Sequence, residues 1–132
     1  MHRLILLLFA LLLSGCASTP ATKGNLADLL PGTWAITTEI NGARIEAQTV
    51  ISANGQVEER VRVTQNGVVS NLTARGSWKV QDDSMVTTYT ESSAPDFAPV
   101  GSVSRDKVTF IDENQLSVVD EEGTAGTMHR VR

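Results

Sequence analysis

The sequence predicts an all-β fold in which antiparallel strands form a meander, and three observations support this. Asn-Gly pairs occur at positions 41–42, 54–55 and 66–67, and Asn-Gly favours tight hairpin turns because both residues tolerate positive φ. The pairs recur at an interval that suits short strands joined by hairpins. Between and after them, apolar and polar residues alternate, which is typical of strands with one buried face.

The alternation is clear in the second of these strands. Ile45, Ala47 and Ile51 share one face, while Arg44 and Glu46 share the other. Eight short strands must hide their edges, and closure into an up-and-down barrel does so, whereas a flattened open sheet or a sandwich is the alternative. The pattern places the strands at residues 33–40, 44–52, 57–64, 68–80, 84–91, 107–112, 115–120 and 126–131.

Residues 1–15 have the pattern of an export signal. Arg3 precedes an apolar run at residues 4–13, and small residues follow it. Ten apolar residues are too few to cross about 30 Å of hydrocarbon as a helix. A charged start, a short apolar middle and small residues at the end are instead typical of a cleaved signal peptide.

The end of this signal, Leu13-Ser14-Gly15-Cys16, resembles the lipobox of bacterial lipoproteins, and Cys16 is the only cysteine of the chain. The resemblance implies cleavage before Cys16 and attachment of acyl chains such as palmitate to the new first residue. An ordinary signal peptide with a chance cysteine is the alternative. Residues 16–25 then form a lipidated flexible tether, and residues 26–132 form the domain.

The residue after the cysteine bears on where such a lipoprotein resides. Ala17 stands where an Asp would retain a Gram-negative lipoprotein at the inner membrane, so the resemblance implies the periplasmic face of the outer membrane. In a Gram-positive source the anchor would hold the protein on the outer face of the plasma membrane. In both cases we expect the membrane, reached through the lipid at Cys16, to be a partner of the chain.

A second resemblance rests on a motif at the start of the first strand. Gly32-Thr33-Trp34 follows a predicted helical turn at residues 26–30, and its pattern returns as Gly76-Ser77-Trp78. This resembles the lipocalin-like, or calycin, families, in which such a Trp closes one end of the barrel. The resemblance implies that Gly32, Trp34, Gly76 and Trp78 have structural roles. It also implies that a basic residue at the end of the chain packs across Trp34, with Arg130 as the first candidate and Arg132 as the second.

Several function classes are not expected from the composition. The formal net charge is −4, and without a basic cluster nucleic acid is not an expected partner. His129 is the only histidine after the signal, and neither a Cys-His pair nor a Gly-x-Ser-x-Gly motif is available for nucleophilic catalysis. The carboxylate runs at predicted turns lack calcium-loop spacing. We therefore expect no enzyme activity, no cofactor and no metal site.

Four residues are candidates for contact with a ligand. Glu59 shares a face with three valines, so a closed barrel would turn it inward, where it must pair, become protonated or contact water. Met85 and Tyr89 share the inward face of the fifth strand. Phe97 lies in the longest stretch without a pattern, residues 92–106, and long loops in compact domains are often lids.

Together these features predict a lipid-anchored envelope protein that binds a small hydrophobic or amphipathic ligand in its barrel. The alternative is a module with a filled barrel that binds or inhibits another envelope protein through its surface.

Overall fold

The computed structural model of the chain describes residues 25–132. Cys16, the predicted signal and most of the predicted tether lie outside the described residues. The first element is a one-turn helix, α1 (Leu26–Leu29). Asn25 caps it, because its Oδ1 atom accepts a hydrogen bond from the backbone N–H of Asp28 at 3.1 Å.

After α1 the chain forms eight antiparallel strands. Each strand pairs with the next, and β8 pairs with β1, so the sheet is a closed up-and-down barrel. The all-β barrel predicted from the sequence is thereby confirmed, and the open sheet and the sandwich are excluded. The strands are β1 (Gly32–Ile40), β2 (Ala43–Ile51), β3 (Gln56–Gln65), β4 (Val68–Gln81), β5 (Ser84–Ser92), β6 (Val103–Asp112), β7 (Gln115–Val119) and β8 (Ala125–Val131).

The observed strands start and end within one residue of the predicted bounds, except at the start of β6. This strand begins at Val103, whereas the alternation predicts a start at Lys107. The earlier part of β6 turns Ser104 and Asp106 toward the interior, so its inward face is polar. A pattern that looks for apolar residues on the inward face therefore misses it.

The connections define two ends of the barrel. Turns at residues 52–55, 82–83 and 113–114 lie with α1 at what we call the closed end. Turns at residues 41–42, 66–67 and 120–124 and the loop 93–102 lie at the opposite, open end.

Two of the three Asn-Gly pairs form the hairpin turns that the sequence predicts. Asn41 and Asn66 both have φ of 51°, and the glycines that follow them also have positive φ. The third pair differs, because only Gly55 has positive φ there. The side chain of Asn54 instead accepts a hydrogen bond from the backbone N–H of Gln56 at 3.1 Å.

The main core lies toward the closed end. Trp34 is fully buried there, its indole N–H donates to the backbone oxygen of Leu30 at 2.9 Å, and its ring meets Phe110 edge to face at 5.7 Å between centroids. The hydrogen bond to Leu30 satisfies the one polar atom of the indole. The buried cluster comprises Leu30, Trp34, Ile51, Val57, Met85, Val108 and Leu116.

The first and last strands meet over only three residue pairs, from Thr33↔Val131 to Ala35↔His129. Arg130 reinforces this seam, because its guanidinium carbon lies 4.2 Å from the centroid of the Trp34 ring. The same side chain donates hydrogen bonds to three backbone oxygens, those of Leu29 and Pro31 at 3.0 Å and Glu113 at 2.9 Å. Arg130 of β8 thus links the end of α1 to the turn between β6 and β7.

Candidate functional site

The barrel encloses an interior cavity of about 100 Å³ above the closed-end core. This volume holds about three water molecules at roughly 30 Å³ each. Most of its wall is apolar, and its polar wall residues are Glu59, Asp106, Thr49 and Thr87. The cavity is lined by Leu30, Trp34, Thr49, Ile51, Glu59, Met85, Thr87, Asp106, Val108, Leu116, Val118 and Met128.

Glu59 lies on the inward face of β3, between Thr49 of β2 and Ala74 of β4. The Tyr89 hydroxyl donates to its carboxylate, at 3.2 Å from each oxygen. Burial raises the pKa of Glu59 above its usual value, although the Tyr89 hydrogen bond acts in the opposite direction. Burial, together with the nearby Glu59 charge, also raises the pKa of the Tyr89 phenol.

Asp106 is a second inward carboxylate that the sequence pattern does not single out. It lies on β6 opposite Met85 of β5, and the Ser104 hydroxyl donates to it at 3.1 Å. Burial raises the pKa of Asp106, and the negative charges of Asp120 and Glu121 raise it further. The charge on Asp106 also contributes to raising the pKa of Glu59. The signal that could have found it is the continued alternation of residues 104, 106, 108 and 110.

Thr87 is the most deeply buried polar side chain that lines the cavity. It is 2% exposed, and no hydrogen bond of its hydroxyl is found among residues 25–132. Buried polar groups normally have a partner, so a hydroxyl of this kind favours a ligand or a water beside it.

A larger pocket of about 680 Å³, which we call the mouth pocket, opens beside β6 at the open end. Asp106 lines both this pocket and the interior cavity, so its side chain lies between the two spaces. The mouth pocket is lined by Tyr89, Phe97, Ser102, Val103, Ser104, Arg105, Asp106, Asp120, Glu121 and Glu122.

The loop 93–102 forms one side of this pocket and is fastened to β5. The backbone N–H of Gly101 donates to the oxygen of Tyr89 at 2.8 Å, and the N–H of Tyr89 donates to the oxygen of Ser102 at 3.1 Å. Within the loop, Ala98 is buried at 1% exposure, whereas Phe97 is 55% exposed. The loop is therefore held by Ala98 and its backbone, and the Phe97 ring is free to contact a ligand.

The structure brings some of the candidate residues together and separates others. Glu59 and Tyr89 are hydrogen-bonded to each other, and Tyr89 and Phe97 line the same mouth pocket. Met85 lies deeper, in the core cluster and the cavity wall.

The second Gly-x-Trp motif lies in β4, where Gly76 and Trp78 have different structural roles. Trp78 packs against the closed-end core, and its indole N–H donates to the oxygen of Ser52 at 2.8 Å. Gly76 lies at a β-bulge between β4 and β5. A Cβ atom there would meet the backbone oxygen of Thr88.

Two features are absent from the part of the chain that the structure describes. Among residues 25–132, no three His, Cys, Asp or Glu side chains converge to hold a metal ion. In the same part of the chain, no helix has the length and apolar character needed to span a membrane.

Comparison with known proteins supports the fold. No protein-family model and no curated protein matches the chain. The chain is similar to a de novo designed fluorescence-activating β-barrel, with 17% identity and a TM-score of 0.51 over 83% of this chain and 100% of that one. It also matches mFAP1, a redesigned β-barrel bound to DFHBI, with 23% identity and a TM-score of 0.44 over 85% of this chain and 100% of that one. The first likeness agrees with the closed barrel observed here.

Proposed function

We propose that this chain is an envelope lipoprotein whose barrel binds a small amphipathic ligand at its open end. The observation that carries the proposal is the interior cavity, where an apolar wall surrounds the inward polar groups of Glu59, Thr87 and Asp106. Sites for small molecules generally combine an apolar lining with a few well-placed polar groups. The cavity of this barrel has that composition.

The interior cavity and the mouth pocket, which share Asp106 as a lining residue, together suit an amphipathic molecule better than a compact one. The interior cavity of about 100 Å³ is smaller than the roughly 300–1,000 Å³ of typical ligand pockets. It therefore admits one end of a ligand, and the remainder would lie in the mouth pocket against Tyr89 and Phe97. Ligand contact with Phe97 is the part of this proposal that a single substitution can test.

We expect Phe97→Ala to weaken binding of a neutral apolar fluorescent probe, N-phenyl-1-naphthylamine, by about threefold to tenfold, because an exposed ring contributes about 1 kcal/mol of apolar contact. Unfolding free energy should change by no more than about 0.5 kcal/mol, since the side chain is outside the core. Probe fluorescence and urea denaturation measure the two effects. Ile111→Ala is the matched control, because Ile111 is 50% exposed and lies near the closed end.

The second candidate function is a protein-interaction or inhibitor module, and one observation favours it. Phe97, Val100 and Val103 are 55%, 63% and 48% exposed on or beside the open-end loop. Such side chains can anchor a protein partner. If the wild-type protein binds no probe, but Phe97→Ala abolishes capture of an envelope protein while Ile111→Ala does not, the interaction module replaces the ligand-binding function.

The lipid anchor is the other half of the proposal and rests on the sequence pattern at Cys16. Stable membrane attachment needs more than one acyl chain, and lipid modification of an N-terminal cysteine supplies this.

We expect Cys16→Ser to abolish incorporation of labelled palmitate, because the thiol is the attachment atom, and to release the protein from the membrane fraction or leave an uncleaved precursor. Metabolic labelling followed by fractionation measures this. Ser14→Ala, which keeps a small residue before the cleavage site, should still be labelled. Palmitate in the Cys16→Ser protein would reject the anchor.

A further inference from the structure

The charges of the barrel are divided between its two faces. Every Lys and Arg on a strand among the described residues is exposed except Arg130; the exposed ones are Arg44, Arg60, Arg62, Arg75, Lys79, Arg105 and Lys107. Arg130 lies at the closed end, where its donors are used by backbone oxygens and Trp34. Arg105 borders the mouth pocket, but its Nη1 atom donates to Gln81 at 2.9 Å.

The interior, in contrast, holds acids with no basic partner among residues 25–132. The Glu59 carboxylate is contacted by the Tyr89 hydroxyl, and the Asp106 carboxylate by the Ser104 hydroxyl. Neither forms an ion pair among these residues. Both acids are half-buried, and a carboxylate that is removed from solvent without a cation normally meets a counter-ion, water or a proton.

A buried hydroxyl adds a further acceptor. Thr87 is 2% exposed, faces the same cavity, and its hydroxyl has no hydrogen bond within the described part of the chain. This unpartnered hydroxyl is independent of the acids and belongs to a side chain that lines the same cavity. The cavity wall therefore offers more hydrogen-bond acceptors than hydrogen-bond donors.

We infer that the open end of this barrel binds amphipathic primary amines, with the ammonium group in the interior cavity against Glu59, Asp106 and Thr87 and the apolar chain in the mouth pocket. This inference rests on the proposed function and names its ligand class. A primary ammonium has three N–H donors and no acceptor, which suits a cavity whose polar groups are mainly acceptors. Charge-assisted hydrogen bonds of this kind are about twice as strong as neutral ones.

Acidic residues at the entrance of the barrel also favour a cationic ligand. Asp120, Glu121 and Glu122 line the mouth pocket together with Asp106. Against these four acids the pocket has one basic lining residue, Arg105, and a cleft in which one sign of charge predominates attracts ligands of the opposite sign and disfavours ligands of its own sign. A carboxylate ligand such as a fatty acid would meet repulsion at the entrance and again inside.

The test compares three eight-carbon ligands by isothermal titration calorimetry. The protein is the mature chain, residues 16–132, with Cys16→Ser, so that neither lipid nor detergent is present. At pH 7.5 octylamine is a cation, octanoate an anion and 1-octanol neutral. We expect octylamine to bind at least about tenfold more tightly than octanoate and than 1-octanol, because a hydrogen bond between charged groups contributes enough for such a ratio.

Substitutions and pH assign the preference to the named residues. Glu59→Gln and Asp106→Asn should each weaken octylamine binding about tenfold and leave 1-octanol binding unchanged. Glu39→Gln removes an exposed acid from the outer face of β1 and is the matched control. Thermal denaturation of each variant checks that it is folded. Thr87→Val keeps the side-chain volume and both charges but removes the hydroxyl, and it should weaken the binding of octylamine without affecting that of 1-octanol.

The affinity for octylamine should also fall when the pH is lowered from 8 toward 5. Glu59 faces Tyr89 and Asp106, and Asp106 faces Ser104, Asp120 and Glu121, so no cation keeps either carboxyl ionised. Because the pKa of both is raised, protonation removes the attraction at a higher pH than for an ordinary carboxyl group. The amine stays protonated throughout this range. The affinity for 1-octanol should not depend on pH.

The possible outcomes separate this inference from the proposed function. Octanoate or 1-octanol binding as tightly as octylamine would overturn the amine preference and leave a ligand-binding barrel. Octylamine binding that Glu59→Gln and Asp106→Asn leave unchanged would overturn the assigned site. Failure of all three ligands to bind would overturn the proposed function as well.

Discussion

Trp34→Ala is expected to lower the free energy of unfolding by about 3 to 5 kcal/mol, because removal of a buried aromatic ring leaves a cavity. Trp34 is fully buried, is packed edge to face on Phe110 and lies beneath the Arg130 guanidinium. The variant also leaves the backbone oxygen of Leu30 without its indole donor. A loss of this size is a large part of the roughly 5 to 15 kcal/mol that stabilises a small domain.

Urea denaturation monitored by far-UV circular dichroism measures this change. Trp78→Ala is the control, because Trp78 is half-buried and its loss should cost less. Trp34→Phe keeps a ring in the site and provides a folded variant if Trp34→Ala does not fold. An unchanged denaturation midpoint for Trp34→Ala would show that the closed end does not depend on this residue.

Gly76→Ala is the second substitution with a large expected effect, a loss of about 3 kcal/mol, at the upper end of the usual range for overpacking. The added Cβ atom would meet the backbone oxygen of Thr88, and the carbonyl carbon of the same residue lies 2.9 Å from it. Backbone atoms at a bulge in a closed barrel cannot move aside as the end of a side chain can. The two strands would have to separate.

Gly126→Ala is the matched control for this prediction. A Cβ atom at Gly126 would lie 2.7 Å from the terminal carbon of Ile36, which can change rotamer, so we expect a loss of less than about 1 kcal/mol. Both changes reduce the entropy of the unfolded chain equally, and their difference therefore isolates the backbone contact. Equal denaturation midpoints for the two variants would contradict the role of Gly76 at the bulge.

The alternation of residue types and the turn residues predict the fold well because both are local signals. The eight strands follow from them. The inward orientation of Glu59 follows from its position relative to Val57 and Val61, and that of Tyr89 from its position relative to Met85 on β5. The contact of Arg130 with Trp34 was expected only from resemblance. Closure of the barrel, by contrast, involves strands about a hundred residues apart in sequence.

The candidate site was less predictable because it depends on distances between strands. Asp106 lies in a stretch that has a strand's alternation but a polar inward face, so the apolar pattern assigns it to a loop. No local pattern in the sequence shows that Thr87 is buried, and none gives the volume of the cavity. Both depend on how side chains from opposite walls interdigitate.

The position of α1 determines how the domain would stand on a membrane. Asn25 and α1 lie at the closed end, and the loop of Phe97 lies at the other end. Strands of nine or ten residues, tilted as in other barrels, separate these ends by about 20 to 25 Å. If the chain is anchored through Cys16, the anchored segment joins the barrel at its closed end, and the entrance lies at the end farthest from that junction. The amine would then be exchanged with the surrounding aqueous compartment, and not extracted sideways from the leaflet that carries the anchor.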